Sequence, residues 1–169
     1  TPGHSLNGSL SYSVGRFDLS DSLNWLQNDY ITVNQVSLQV GIGFSGTMPV
    51  YLNSSVYYLN EDGINLTSWE EYTRSHWVFQ QTAGFMPVSK TWVEGAVTFG
   101  DQNYFVSHNG IYLFNSQDPV RFKAGVSVTH YFNRNLSFSL HYGLEKKYME
   151  EYDLNYYQNG LTAGITWKL

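Results

Sequence analysis

Ser107-His108, with Asp101 a few residues upstream, is the set in this chain nearest to a hydrolytic arrangement. A nucleophilic Ser needs a His within hydrogen-bond reach and a carboxylate to orient that His. Ser, His and Asp are also ordinary residues of polar connections. No catalytic residue is therefore expected, and the chain is read as non-enzymatic. The five histidines are His4, His76, His108, His130 and His141. They show no His-x-x-x-His spacing, and there is no cysteine to join them, so neither a metal site nor a cofactor is expected.

The other chemistry-bearing residues are the charged side chains of the later strands: Glu94, Arg121, Lys123, His141, Glu145 and Lys147. What they can do depends on the elements that hold them. Those elements are strands, because period-2 alternation runs through most of the chain. Val36, Leu38, Val40, Ile42 and Phe44 alternate with Ser37, Gln39, Gly41 and Gly43. Leu136, Phe138, Leu140, Tyr142 and Leu144 alternate with Ser137, Ser139, His141 and Gly143. Eight strands are expected, over 6–17, 31–45, 49–59, 76–86, 91–107, 111–132, 136–148 and 156–169, in one domain covering 1–169.

The connections alternate in length. Those near 46–49, 87–90 and 133–135 are tight, and 18–30, 60–75 and 149–155 are longer. All the tight turns then fall at one end, together with both termini. The fold class implied is all-β, an eight-stranded antiparallel up-and-down transmembrane barrel with short periplasmic turns and long external loops.

Two registers follow from turn chemistry. A turn at 133–135 pairs Lys123 with Glu145, Arg121 with Lys147 and Ser127 with His141, all on the lumen-facing parity. An ion-pair network filling the lumen is expected there, with Glu94 also lumen-facing but nearer the periplasmic end. Asn109-Gly110 is a two-residue hairpin signal, since both residues tolerate positive φ. It pairs His108 with Ile111, and matching of apolar faces pairs Val97 with Phe122. Strands five and six are expected to continue outward as a protruding hairpin that carries Phe105, His108, Asn109, Gly110, Tyr112 and Phe114. Pro119 is placed to introduce a bulge.

Composition separates a membrane barrel from a soluble one. The face opposite the apolar residues is mostly Gly, Ser, Thr and Gln, which suits a crowded lumen rather than a wet exterior. Most acidic residues lie in the longer connections, among them Asp18, Asp21, Asp29, Glu61, Asp62, Glu70, Glu71, Glu150, Glu151 and Asp153. Aromatics gather near the strand ends, with Trp25, Tyr30, Trp69, Tyr72, Trp77 and Tyr152 at one side and Phe44, Phe85, Phe132 and Trp167 at the other. Interfacial girdles have this form. A net charge of −5 excludes a basic nucleic-acid surface.

On these features the chain resembles the small bacterial outer-membrane barrels, the OmpA-type transmembrane domain and the Ail/OmpX-type adhesins. The resemblance is architectural and spans the whole chain. The final stretch, Gly160-Leu161-Thr162-Ala163-Gly164-Ile165-Thr166-Trp167-Lys168-Leu169, is similar to a C-terminal assembly signal, ending in Leu where Phe is usual. Asn115-Ser116-Gln117-Asp118-Pro119 and the Trp-Lys-Leu ending resemble outer-membrane proteins of Bacteroidota. The resemblance implies a bacterial outer-membrane location. The partners it implies are outer-membrane lipid, lipopolysaccharide and an envelope protein, with no nucleic acid. The expected role is interaction or adhesion through the external loops. The alternatives are a subunit or anchor of a larger outer-membrane complex, a hydrolase acting on lipid or peptide, and a soluble ligand-binding barrel.

Overall fold

The computed structural model describes residues 3–64, 69–103, 106–107, 112–113, 118–149 and 152–168. Within them the chain is all strand and turn, with one short helical turn at Tyr152. The strands are β1 (His4–Val14), β2 (Phe17–Gln27), β3 (Ile31–Phe44), β4 (Val50–Ile64), β5 (Glu71–Val88), β6 (Thr91–Phe99), β7 (Val106–Ser107), β8 (Tyr112–Leu113), β9 (Val120–Tyr131), β10 (Leu136–Met149) and β11 (Leu154–Trp167). Nine of them form one antiparallel up-and-down sheet in the order β1-β2-β3-β4-β5-β6-β9-β10-β11, and β7 and β8 pair separately.

The sheet therefore has nine strands where eight were expected. The extra one is β2, in the segment 18–30 that its acidic residues mark as an external loop. Gly15 adopts φ +62°, and the Gly15-Arg16 turn pairs Val14 with Phe17. Asp21 hides the alternation of β2, because it stands between Leu19 and Leu23 on the outward face, opposite Leu10 and Leu38. β4 and β5 likewise run further than expected, with Ile64 paired to Glu71.

The tight turns do share one end. At 132–135 the Asn133 side-chain oxygen accepts from the amides of Asn135 (2.8 Å) and Leu136 (2.9 Å). The termini do not share that end. His4 lies opposite Gln27, at the end of the longer connections, whereas Trp167 lies opposite Leu136 at the tight-turn end. The added strand reverses the direction of everything before it, so β1 and β11 run the same way. Among the described residues these two strands are the edges of the sheet and do not pair with each other. Joining them directly would make a parallel seam, whereas single-chain bacterial outer-membrane barrels have even, wholly antiparallel strand counts.

The two faces differ as the alternation requires. Leu10, Leu23, Val36, Leu38, Phe79, Phe99, Leu140, Leu161 and Ile165 stand exposed on the outer face. Ser22, Asn24, Gln35, Ser37, Ser55 and Thr98 are buried on the other. Toward the long-connection end this inner face becomes apolar: Ile31, Val33, Tyr57, Leu59 and Val78 pack together, with Leu26 against them. The face expected to be mostly Gly, Ser, Thr and Gln is thus apolar at that end.

Register is as expected for β9 and β10, where Lys123 pairs with Glu145 and Ser127 with His141. Between β6 and β9 it is not. Val97 faces Ala124 rather than Phe122, and Phe122 faces Phe99, with ring centroids 5.1 Å apart. A shift of two residues leaves every side chain on its face, so matching the apolar faces cannot detect it. The register read from Asn109-Gly110 survives only in the short β7–β8 pair, where Val106 faces Leu113 and Ser107 faces Tyr112.

Candidate functional site

β6 stops at Phe99 because the next residue turns the chain inward. Gly100 adopts φ +114°, and a Cβ there would lie 2.1 Å from the carbonyl oxygen of Trp77. Only glycine fits both constraints. The Gly100 amide donates to the Arg121 carbonyl (3.1 Å) and the Gln102 amide to the Val120 carbonyl (2.9 Å), so the stem of the connection stays tied to β9.

That inward turn delivers Asp101 to Arg74 of β5, at 3.2 Å. Arg74 faces Glu61 across the β4–β5 ladder, 3.6 Å away, and His76 Nε2 lies 3.6 Å from the other Glu61 oxygen. Glu61 is 1 % exposed, although its position suggests an external acidic loop. Burying a lone carboxylate is costly, and the Arg74 guanidinium, shared with Asp101, offsets only part of that cost. Continuing the parity of Tyr57 and Leu59 by one more step would have placed Glu61 on the inner face.

At Val106 the chain meets β3. Gln35 of β3 is 2 % exposed. Its side-chain amide donates to the Val106 carbonyl (2.7 Å), and its side-chain oxygen accepts from the Val106 amide (2.9 Å). The side chain thus mimics a strand partner for one residue of β7. Val106 is itself buried. In the sheet β4 and β5 lie between β3 and β6, and Val106 is bonded to Gln35 on the inner face of β3. The described stem of the expected protruding hairpin, Asp101 and Val106, contacts the inner face. Of the residues expected to form the hairpin, Phe105, His108, Asn109, Gly110 and Phe114 lie outside the described residues. Tyr112 is placed in β8, paired to Ser107. Asp101, one of the three groups considered for nucleophilic chemistry, is engaged by Arg74, and His108 is outside the described residues.

The set expected to fill a lumen divides. Lys123 Nζ lies 3.0 Å from Glu145, and Lys147 Nζ 3.7 Å from the other Glu145 oxygen. Arg121 does not face Lys147. The ladder slips there, Val120 takes the position opposite Lys147, and the Arg121 guanidinium sits 3.8 Å above the Tyr148 ring. This is the irregularity that Pro119 announces, and it removes Arg121 from the network. Beside the network, the Tyr156 hydroxyl donates to Asp118 (2.7 Å). The His141 ring covers Gly125 and Gly143, where Cβ atoms would come within 3.0 and 3.3 Å of it.

Glu94 acquires a partner that sequence reasoning left open. Tyr51, Gly84 and Glu94 stand in register on β4, β5 and β6. The Tyr51 ring lies over Gly84, and its hydroxyl donates to Glu94.

No protein-family model matches the chain, and no curated protein is similar to it in sequence. Among solved structures, the NanC porin in a rhombohedral crystal form overlaps 99 % of this chain and 94 % of its own, at 12 % identity and a TM-score of 0.44. That likeness assigns neither a family nor a role.

Proposed function

We propose that this chain is an integral outer-membrane β-barrel protein of a bacterium, non-enzymatic, with its polar face toward a lumen and its apolar face toward lipid. One observation carries the reading. Large apolar side chains stand exposed along the outward face from β1 to β11, with Leu10, Leu161 and Ile165 about 70 % exposed or more. Soluble monomers rarely expose continuous apolar patches beyond a few hundred Å². The aromatic positions add to it. Tyr30, Trp69, Tyr72, Trp77 and Tyr152 are exposed toward one end, and Phe44, Phe85, Phe132 and Trp167 toward the other, as two interfaces would require.

Cysteine labelling tests the orientation. In detergent or native membrane, Leu38→Cys should react with a lipid-soluble maleimide and resist a charged one. Gln39→Cys should not react with the lipid-soluble probe. Equal labelling of both by the charged reagent, or a chain that stays monodisperse without detergent, overturns the proposal in favour of a soluble barrel. In this reading the loop end, with exposed Tyr30, Trp69 and Tyr152 beside Glu70 and Glu71, meets lipopolysaccharide and external partners.

The two unpaired edges favour a second reading, a subunit or anchor of a larger outer-membrane assembly. Unpaired backbone groups are not tolerated in lipid, so β1 and β11 need partners in the membrane. Extraction in mild detergent distinguishes the two: a single closed species of one chain's mass argues for the first, and a stable larger complex for the second.

A further inference from the structure

From a carboxylate in the middle of the outward apolar face, we infer an interaction site: the outward side of β1 and β2 docks a membrane-spanning strand of another envelope protein. That strand runs antiparallel to β1 and presents an arginine or lysine to Asp21. The inference rests on the subunit reading above and names the chemistry of the partner.

Asp21 is the centre of an otherwise apolar patch. Along β2 the outward positions are Phe17, Leu19, Asp21, Leu23 and Trp25, and across the ladders Asp21 stands between Leu10 and Leu38. Its neighbours Leu10, Leu19, Leu23 and Leu38 are all exposed. Asp21 is exposed as well, and among the described residues it makes no hydrogen bond or ion pair. An ionisable group at this depth in lipid is costly, and where one occurs it is almost always paired. The surrounding chain supplies no cation. Arg16 is the only lysine or arginine before Arg74, and its guanidinium lies over the Phe44 ring at the tight-turn end. Arg74 is engaged by Glu61 and Asp101 on the inner face.

The same side of the sheet carries a second, independent observation. Among the described residues β1 is an edge, so one row of its backbone groups has no ladder partner, and in lipid those groups need one. A strand beside β1 satisfies them. Its residue opposite Leu10 lies two ladder spacings, about 10 Å, from Asp21. Arginine and aspartate side chains together cover that distance. Gly8, the next outward position along β1, leaves room for the crossing, since a Cβ there would meet nothing within 4 Å. Tyr51 crosses Gly84 to reach Glu94 in the same manner on the inner face.

A second copy of this chain does not fit the site. In the same membrane orientation its β1 and β11 both run parallel to β1, whereas bacterial outer-membrane barrels are wholly antiparallel. Its edges also bring no cation, because the outward positions from Leu6 to Val14 and from Tyr157 to Trp167 hold neither lysine nor arginine. The partner strand is a different one, with apolar residues toward lipid, small polar residues inward and one basic residue at mid-height.

The test uses the full chain in detergent micelles, with synthetic strands as probes. Each probe alternates leucine and serine. One carries arginine at its centre and a cysteine four residues later, the separation of Leu6 from Leu10. The control carries leucine in place of that arginine. The chain has no cysteine of its own, so each introduced thiol is unique. The arginine probe should form a disulfide with Leu6→Cys and not with Val14→Cys, as antiparallel pairing opposite Leu10 requires. Its yield should exceed that of the leucine probe several-fold, and Asp21→Asn should abolish the preference. Should Asp21→Asn fail to fold, Asp21→Leu restores the apolar run and should abolish it too. Equal yields from the two probes at Leu6→Cys overturn the pairing with Asp21 while leaving β1 an edge that takes a strand, so the subunit reading survives. Reaction at Val14→Cys, or at neither position, overturns the docking site. A chain that extracts as a single closed species of its own mass overturns the subunit reading itself, which keeps the two failures apart.

Discussion

Tyr51 and Glu94 are joined across a whole intervening strand. The phenol of Tyr51 on β4 passes over Gly84 on β5 to donate a hydrogen bond to Glu94 on β6. An aromatic ring covering a glycine on the neighbouring strand is a known device for pinning register. Here it also gives a carboxylate near the tight-turn end a partner.

Gly84 should therefore be hard to replace. A Cβ at this position would sit 2.3 Å from the Tyr51 ring. Gly84→Ala should cost about 1–3 kcal/mol, the usual range for an overpacked site. Tyr51→Phe keeps the ring and removes the donor, and should cost about 1 kcal/mol. Denaturant unfolding in detergent, followed by tryptophan emission, gives the order. A Gly84→Ala protein as stable as the parent would contradict the packing.

A second prediction concerns Lys123 and Glu145. They are direct cross-strand partners, but both side chains are more than a quarter exposed. A double-mutant cycle with Lys123→Met and Glu145→Gln should return a coupling of roughly 0.2–1 kcal/mol, the range for solvated pairs. The coupling should shrink as salt rises. A salt-independent value well above that range would mean that this pair is shielded from water.

Depth should grade the cost of charge on the outward face. Leu38 lies in the middle of β3 and Phe44 at its tight-turn end. For arginine on a lipid-facing position, the penalty is about 2–4 kcal/mol at the midplane and about 0–1 kcal/mol near an interface. Leu38→Arg should thus destabilise the protein far more than Phe44→Arg. Equal, small penalties at both sites would place the face in water.

Hydrogen exchange should report the inner segment directly. The Val106 amide is bonded to the Gln35 side chain and not to a long ladder. In Gln35→Ala, and in Gly100→Ala, its protection should fall while amides of the β3–β4 ladder keep theirs. Unchanged protection at Val106 in both variants would show that the clasp does not hold the segment.

Most of the wall is legible in the chain itself. The alternation of Val36 to Phe44 and of Leu136 to Leu144 identifies strands and their outward faces, and the turn at 133–135 gives the partnership of Lys123 with Glu145. β2 was not legible. Asp21 breaks the apolar alternation, and three aspartates in twelve residues read as a solvated loop. Glu61 misled in the same way, because acidity speaks for water unless an arginine on the next strand is known to face it. Arg74 faces it through a ladder that extends beyond the apolar run.

The contacts at the long-connection end of the sheet lay further from reach. Nothing adjacent in sequence links Gln35 to Val106, which are 71 residues apart. The register read from Asn109-Gly110 is the one that β7 and β8 keep, yet a register says how two strands pair and not where the chain leaves β6. That departure is set at Gly100, where a Cβ would meet the carbonyl of Trp77.

By itself, then, the sequence determined the local and periodic features: strands, their two chemically distinct faces, tight turns gathered at one end, and one register pinned by turn geometry. Those depend on side-chain parity and on residues a few positions apart, which a linear text records. The tertiary structure alone decided the number of strands, the directions of the two edges, the two-residue shift between β6 and β9, and the inward fold of the segment after Gly100. Each of these rests on contacts between distant residues or on a shift of even length, and period-2 patterning is blind to both.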